Sequence, residues 1–277
     1  MLIEAGFDIA FECPAQTPML LQLNVHPLRD PDLLTPDRIA SDPPLSMRAY
    51  LDLFGNRVTR VEVPAGTVTF SNRFVIRDSG RPDETPPDVR TTPIDDLPDD
   101  VLLFLVSSRY CDSDKLADFA WSRFGKLSGG TRVVQAISDF VHAKIWFNYL
   151  EARSTRAASD SMHEGIGVCR DFAHLAIALC RCMNIPARYC TGYLGDIGVP
   201  ADVNPMDFSA WGEVFLDGRA GGRWTRVTTI PAGRIVMGRG RDAADVARST
   251  AFGVARLVRF EVVTVEKVPR GCCSSRF

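Results

Sequence analysis

The sequence predicts an α+β protein: an N-terminal antiparallel β-sandwich over residues 1–76, a linker over 77–100, and a second domain over 101–277 with helices packed on an antiparallel sheet. Three observations lead there. Residues before 77 alternate apolar and polar side chains with the two-residue period of half-buried strands. The next stretch carries prolines at 82, 86, 87, 93 and 98. Beyond residue 101 the apolar period lengthens to that of helices, then shortens again.

Phe7, Ile9 and Phe11 alternate with Asp8, Ala10 and Glu12, which describes one strand. Leu20 to Val25, Leu45 to Leu53, Arg57 to Val63 and Thr67 to Ile76 have strand length, and Gly55-Asn56 and Ala65-Gly66 suit tight hairpin turns. The proline-rich linker can sustain neither helix nor interior strand, although Ile94 and Leu97 offer apolar anchors. Leu116 to Phe124 reads as a helix, and Val133, Ile137, Phe140, Val141, Lys144 and Ile145 mark the buried stripe of a second. Val168 to Met183 is a third, with so little polar surface that other elements must surround it. Ala187 to Leu194, Ala210 to Leu216, Arg223 to Ile230 and Arg256 to Val265 return to strand, with Asp217-Gly218 and Gly221-Gly222 as turn residues. No internal repeat is visible.

Composition narrows the function classes. The chain has 277 residues, of which 45% are hydrophobic and 24% charged, and its net charge is −2. That is a globular profile, with no basic run to support nucleic-acid binding. No apolar run approaches the roughly 18 residues that span a bilayer, so no membrane role is expected. Met1-Leu2-Ile3-Glu4 lacks the basic, then apolar, pattern of a signal peptide, and a cytoplasmic protein is expected. The tail Ser274-Ser275-Arg276-Phe277 leaves Cys272-Cys273 outside a prenylation box. Eight cysteines show no Cys-x-x-Cys, and no His pair has ligand spacing, so neither metal nor cofactor is expected. Cys180 and Cys182, two apart on one helix, point about 200° apart and cannot share a ligand.

One cysteine stands out. Cys169 follows Gly165-Ile166-Gly167-Val168 and opens the third helix, where unpaired backbone N–H groups and the positive end of the helix dipole favour thiolate over thiol. The sequence expectation is therefore an activated nucleophile.

Gly167-Val168-Cys169-Arg170-Asp171-Phe172-Ala173-His174-Leu175 resembles the nucleophile motif of the bacterial transglutaminase-like superfamily of cysteine proteases. Asn184-Ile185-Pro186-Ala187-Arg188-Tyr189 is similar to the continuation into the next strand, and Ala210-Trp211-Gly212-Glu213-Val214-Phe215-Leu216 to the strand that bears the base. Asp52-Leu53-Phe54-Gly55-Asn56 resembles part of the family's accompanying N-terminal β domain. The resemblance implies a papain-like core with a Cys–His–Asp triad, no cofactor, and hydrolysis or acyl transfer on peptide or isopeptide amides. It also implies that Ser209 stands where the histidine belongs, and Thr228 where the aspartate belongs. A serine cannot act as general base near neutral pH.

Other groups could take part. His163, six residues before Cys169, is the candidate replacement base if its loop folds back over the helix start; otherwise it is an exposed loop histidine beside Glu164. His174 lies about 140° around and about 7.5 Å along the helix from Cys169, and so reads as structural. His142 and His26 lie farther off, on the second helix and in the first domain. Asp171 reads as a stabiliser of the helix start or a partner of Arg170 or Arg188, and Asp207 as a carboxylate near the site. Trp211 and Trp224 read as core residues or as walls of a substrate-binding groove. Two functions stay open: a cysteine hydrolase or acyltransferase acting on amides or thioesters through Cys169, or a catalytically deficient relative that binds a peptide or protein partner.

Overall fold

The computed structural model describes residues 1–81, 89–195, 206–216, 223–226 and 233–267. In the first sheet, β1 (Leu2–Cys13) lies between β6 (Gly66–Arg77) and β14 (Arg256–Glu266), with β3 (Ala40–Asp42) beyond β6, all antiparallel. The second sheet has the order β13 (Ser249–Ala251), β2 (Thr17–Leu21), β5 (Arg57–Val63), β4 (Met47–Leu51). The alternation on β1 works as its pattern demands: Ile3, Ala5, Phe7, Ile9 and Phe11 are buried, and meet Met19 and Leu21 of β2 and Val61 and Val63 of β5 in one core. This is the expected β-sandwich.

Two details differ from the sequence expectation. Ala65-Gly66 is no hairpin turn, because β5 and β6 belong to different sheets and the turn carries the chain across the sandwich. The expected boundary 101–277 also fails at its far end. Ser249–Ala251 pairs with β2, and Arg256–Glu266 with β1, so the chain returns to complete the first unit after building the second. An apolar alternation shows that a strand exists but not which sheet receives it.

The second unit contains α1 (Asp99–Leu102), α2 (Ala117–Phe124), α3 (Gly130–Lys144), α4 (Ala158–Glu164) and α5 (Cys169–Cys182). Its sheet has the antiparallel order β11 (Arg223–Arg226), β10 (Ser209–Leu216), β9 (Ala187–Tyr193), β12 (Ile235–Gly240). A short parallel pair joins β7 (Trp146–Phe147) to β8 (Ile166–Gly167). The helix α5 is central, as its apolar sequence requires: every residue from Ala173 to Cys182 is buried, among α2, α3, α4, β9 and β10. Arg181, on its last turn, is bonded within that core. Arg181 donates to the carbonyls of Ala187, Val106 and Arg241 and to Ser108 Oγ.

α4 and β12 have no counterpart in the sequence reading. Asp160 accepting from the Ala157 N–H and Gly165 in the left-handed region, φ +67°, are the start and stop marks of α4. In β12, Gly238 and Gly240 interrupt the apolar pattern, and the register shifts between Val236 and Gly238. In the linker, Leu97 is buried with Val101 and Phe215, whereas Ile94 is exposed. The expected turns at 217–222 and the end of the strand expected at 223–230 fall outside the described residues. No helix among the described residues is long and apolar enough to cross a membrane.

The two units share one interior. Tyr193, Phe208, Ile235 and Met237 of the second pack into the sandwich core. Beside them the Asp52-to-Asn56 turn acts as a clasp. Asp52 Oδ1 accepts the N–H of Phe54 and of Asn56, each at 2.8 Å, which turns the Asn56 amide toward β12. There Asn56 Nδ2 donates to the Arg239 carbonyl and Oδ1 accepts the Arg239 N–H, both at 2.8 Å. Asn56→Ala removes both bonds and strands two backbone groups, so equilibrium urea unfolding is expected to show a loss of about 2–4 kcal/mol.

His26 lies at the same junction. Its Nδ1 accepts the Leu28 N–H at 3.2 Å, and burial, with Arg239 and Arg188 nearby, lowers its pKa to about 4. Because the folded value lies below the unfolded one, its contribution is complete above about pH 6.5 and fades as the pH falls toward about 4. Allowing for solvent screening at the junction, the loss is about 2 kcal/mol. His26→Gln is expected to shrink the difference in urea stability between about pH 7 and about pH 4.5.

Candidate active site

The site starts with the geometry that begins α5. Gly165 ends α4, β8 runs two residues against β7, and Val168 caps the helix in an extended conformation. Asp171, fully buried, turns back: its Oδ2 accepts the Val168 N–H at 2.9 Å and the Arg156 Nη1 at 3.1 Å. Arg156, 2% exposed, also donates to the Glu151 carbonyl and to Glu164 Oε2. Gly167 makes room for this turn, since a Cβ there would meet Asp171 at 2.6 Å. Asp171 therefore does stabilise the helix start, with Arg156 as its main partner; Arg170 stands 3.8 Å away, and Arg188 pairs instead with Glu213 at 2.6 Å.

Cys169, the first residue of α5, is half-buried and opens into a cleft of about 600 Å³. Ser209, at the start of β10, faces it, and Tyr110, Tyr189, Arg170 and Asp207 contribute to the walls. Burial raises the Cys169 pKa, and the Asp207 carboxylate adds to the rise; the Ala210 N–H, the Ser209 hydroxyl and the Arg170 N–H act as donors that oppose it. The balance is upward. This upward direction runs against the thiolate expected from the helix start alone: the donors are present, and removal of sulfur from water opposes them.

The remaining candidates are not gathered at the thiol. His163 is exposed on the last turn of α4 and does not line the cleft. His174 is fully buried between Tyr110 and Tyr189, its ring 5.2 Å from the first and 5.0 Å from the second. Its Nε2 accepts the Ala243 N–H at 3.2 Å, and burial holds its pKa well below the usual histidine value, which suits a neutral structural ring. His142 is exposed on α3, with its ring 5.6 Å from that of Phe172. Trp211 is 1% exposed, packs with Cys190 and Val236 under the Arg234 guanidinium, and is core rather than groove wall. Thr228 lies outside the described residues. Among the described residues, no histidine lines the cleft, and no group of three His, Cys, Asp or Glu could hold a metal ion.

The segment from Arg241 to Ser249 went unread in the sequence and forms one wall. Asp242 Oδ2 accepts the Tyr110 N–H at 2.7 Å, and Arg248 pairs with Asp207 at 2.7 Å. It has neither helical nor strand periodicity, so only its charged residues could have drawn notice. Breaking the buried pair behind the helix start by Asp171→Ala is expected to cost about 2–4 kcal/mol in urea unfolding, because the Val168 N–H loses its acceptor and Arg156 keeps only Glu164 and the Glu151 carbonyl. Asp171→Asn keeps an acceptor and is expected to cost less.

Comparison with known proteins agrees with this architecture. Residues 122–229 match the sequence pattern of the transglutaminase-like superfamily. The crystal structure of a putative cysteine protease from Cytophaga hutchinsonii is 30% identical, covers 96% of this chain and 90% of its own, and superposes with a TM-score of 0.82. The uncharacterized protein ML0607 of Mycobacterium leprae is 39% identical over 95 residues, and the uncharacterized protein Rv2569c of Mycobacterium tuberculosis is 30% identical over 127. These matches span only 32% and 40% of the two mycobacterial proteins. With the family's sequence pattern lying across the cysteine helix and its facing strands, and the fold shared from end to end with the Cytophaga protein, the chain belongs to the transglutaminase-like superfamily.

Proposed function

We propose that this chain is a catalytically deficient transglutaminase-like protein whose cleft binds a peptide or protein segment. The observation that carries the reading is the company of the Cys169 sulfur: a serine hydroxyl and two backbone amides, with no imidazole lining the described cleft. A hydroxyl can donate to sulfur but cannot take its proton near neutral pH. Loss of a positioned general base alone slows acyl transfer by about 10²–10⁴-fold. The Cytophaga relative is described as a putative cysteine protease, and clefts of that class hold polypeptide; here Tyr110, Tyr149 and Tyr189 provide aromatic walls for such a ligand. The six described cysteines are free, which supports a reducing, cytoplasmic location.

One observation favours slow chemistry as a second reading. Cys169 still opens into the cleft at a helix start, with the Ala210 and Arg170 N–H groups directed at it. A thiol so placed can accept an acyl group from an activated donor such as a thioester, the new Cys169–acyl bond replacing the donor's and the departing thiol taking up the Cys169 proton, with Ser209 as a polar neighbour rather than a base. Turnover of a thioester substrate that is abolished by Cys169→Ala would establish this reading and displace the first.

Alkylation by iodoacetamide across about pH 5–9, with peptide mapping, tests the main reading. Cys169 is expected to react no faster at pH 7 than an ordinary thiol of pKa about 8.5; rapid modification below pH 7 would contradict it. Ser209→His supplies the missing imidazole and is expected to raise the pH 7 alkylation rate of Cys169 about 10-fold or more.

A further inference from the structure

Four large apolar side chains within five residues face solvent beside the cleft: Trp146 is 69% exposed, Phe147 43%, Tyr149 45% and Leu150 92%. None of them joins a hydrophobic core of the described residues. The backbone beneath them is nevertheless held along its length. The Trp146 N–H donates to the Gly165 carbonyl at 2.9 Å and the Asn148 N–H to the Gly167 carbonyl at 3.0 Å. Asn148 Oδ1 accepts the Leu150 N–H at 3.0 Å, and the Glu151 carbonyl accepts from Arg156 Nη1 at 2.8 Å. Gly167 and Arg156 also set the start of α5, so this apolar ledge shares its anchor with Cys169. The ledge runs into the cleft without a break. Tyr149 lines the cleft, and the Phe147 ring stands edge-on to the Tyr149 ring at 4.8 Å and 87°. Phe147 also meets Phe172 at 6.3 Å, and Phe172 lies on α5 three residues after Cys169, on the same side of the helix.

We infer that the peptide held in the cleft carries an aromatic residue that lies on Phe147 and Tyr149, beside the stretch that passes Cys169. The inference rests on the reading of the cleft as a peptide-binding site. The occupant of the ledge is the occupant of the cleft, because Tyr149 belongs to both surfaces and a chain leaving the cleft on that side meets Phe147 next. Contiguous exposed apolar surface of this kind marks a ligand or partner site. Two rings set at right angles present an edge and a face together, which favours a third ring over a small or polar side chain. A ledge fixed in advance by its backbone bonds also spares the complex the cost of ordering it.

Protection of Cys169 from iodoacetamide at about pH 9 provides the test, with two pools of acetylated, amidated hexapeptides as probes. Both are built from Gly, Ala, Ser, Thr, Asn and Gln, and one carries a single Phe, Tyr or Trp at a varied position. The aromatic pool is expected to protect at concentrations about 10-fold or more below those of the other. Phe147→Ser is expected to remove most of that preference and Phe147→Tyr to keep it, with folding checked by circular dichroism; Tyr149→Ser reads the same contact independently. Equal protection by the two pools, or an undiminished preference in folded Phe147→Ser and Tyr149→Ser, would overturn the aromatic subsite while leaving the binding cleft intact. Protection by neither pool would overturn both.

Discussion

The contact between the Asp171 carboxylate and the Val168 N–H, backed by Arg156, decides where α5 begins, and the site follows from that point. A helix leaves its first N–H groups without partners, so its start is free to slip unless a side chain holds it. Here the holding group is a buried ion pair, whose partners each become a severe liability if the other is removed. Ala173 to Cys182 are sealed in the core, so the helix cannot shift without disturbing its packing. Starting it one residue earlier or later would turn the thiol about 100° away from β10. The position of Cys169 opposite Ser209 is thus a consequence of packing and capping, whatever chemistry occurs there.

That placement brings two opposed effects onto one sulfur. The donors at the helix start stabilise negative charge, and enclosure penalises it; enclosure is the larger. An imidazolium would offset the penalty by supplying a positive charge and a resting place for the proton. Ser209 supplies neither. On the proposed reading, the cleft offers a ligand its aromatic walls and its donors without the proton acceptor that acyl transfer requires.

Much of this was legible in the residues. The alternation at Phe7, Ile9 and Phe11, the stripe on α3 and the nearly unbroken apolar run of α5 each reported a burial pattern that the fold obeys, because burial of side chains is what those periods record. The Cys169–Ser209 meeting was also accessible through the family resemblance. What the residues did not reveal depends on long-range pairing. The destination of Arg256–Glu266 on the first sheet, the docking of Asn56 on Arg239 and the arrival of Arg248 beside Asp207 join segments distant in sequence, and no local period encodes them. The sign of the balance at Cys169 was illegible for the same reason: helix position is local, whereas enclosure depends on everything packed around it.

The ionisation state of the Cys169 sulfur is the quantity on which the account turns. The ultraviolet absorbance of the thiolate, taken as the difference between native protein and Cys169→Ser and titrated across the stable pH range, reads it without a reagent entering the cleft. A single step with a midpoint above about pH 8.5, the value of a free thiol, is predicted. A step below about pH 7 would show a thiolate already formed at neutral pH, and would contradict the account.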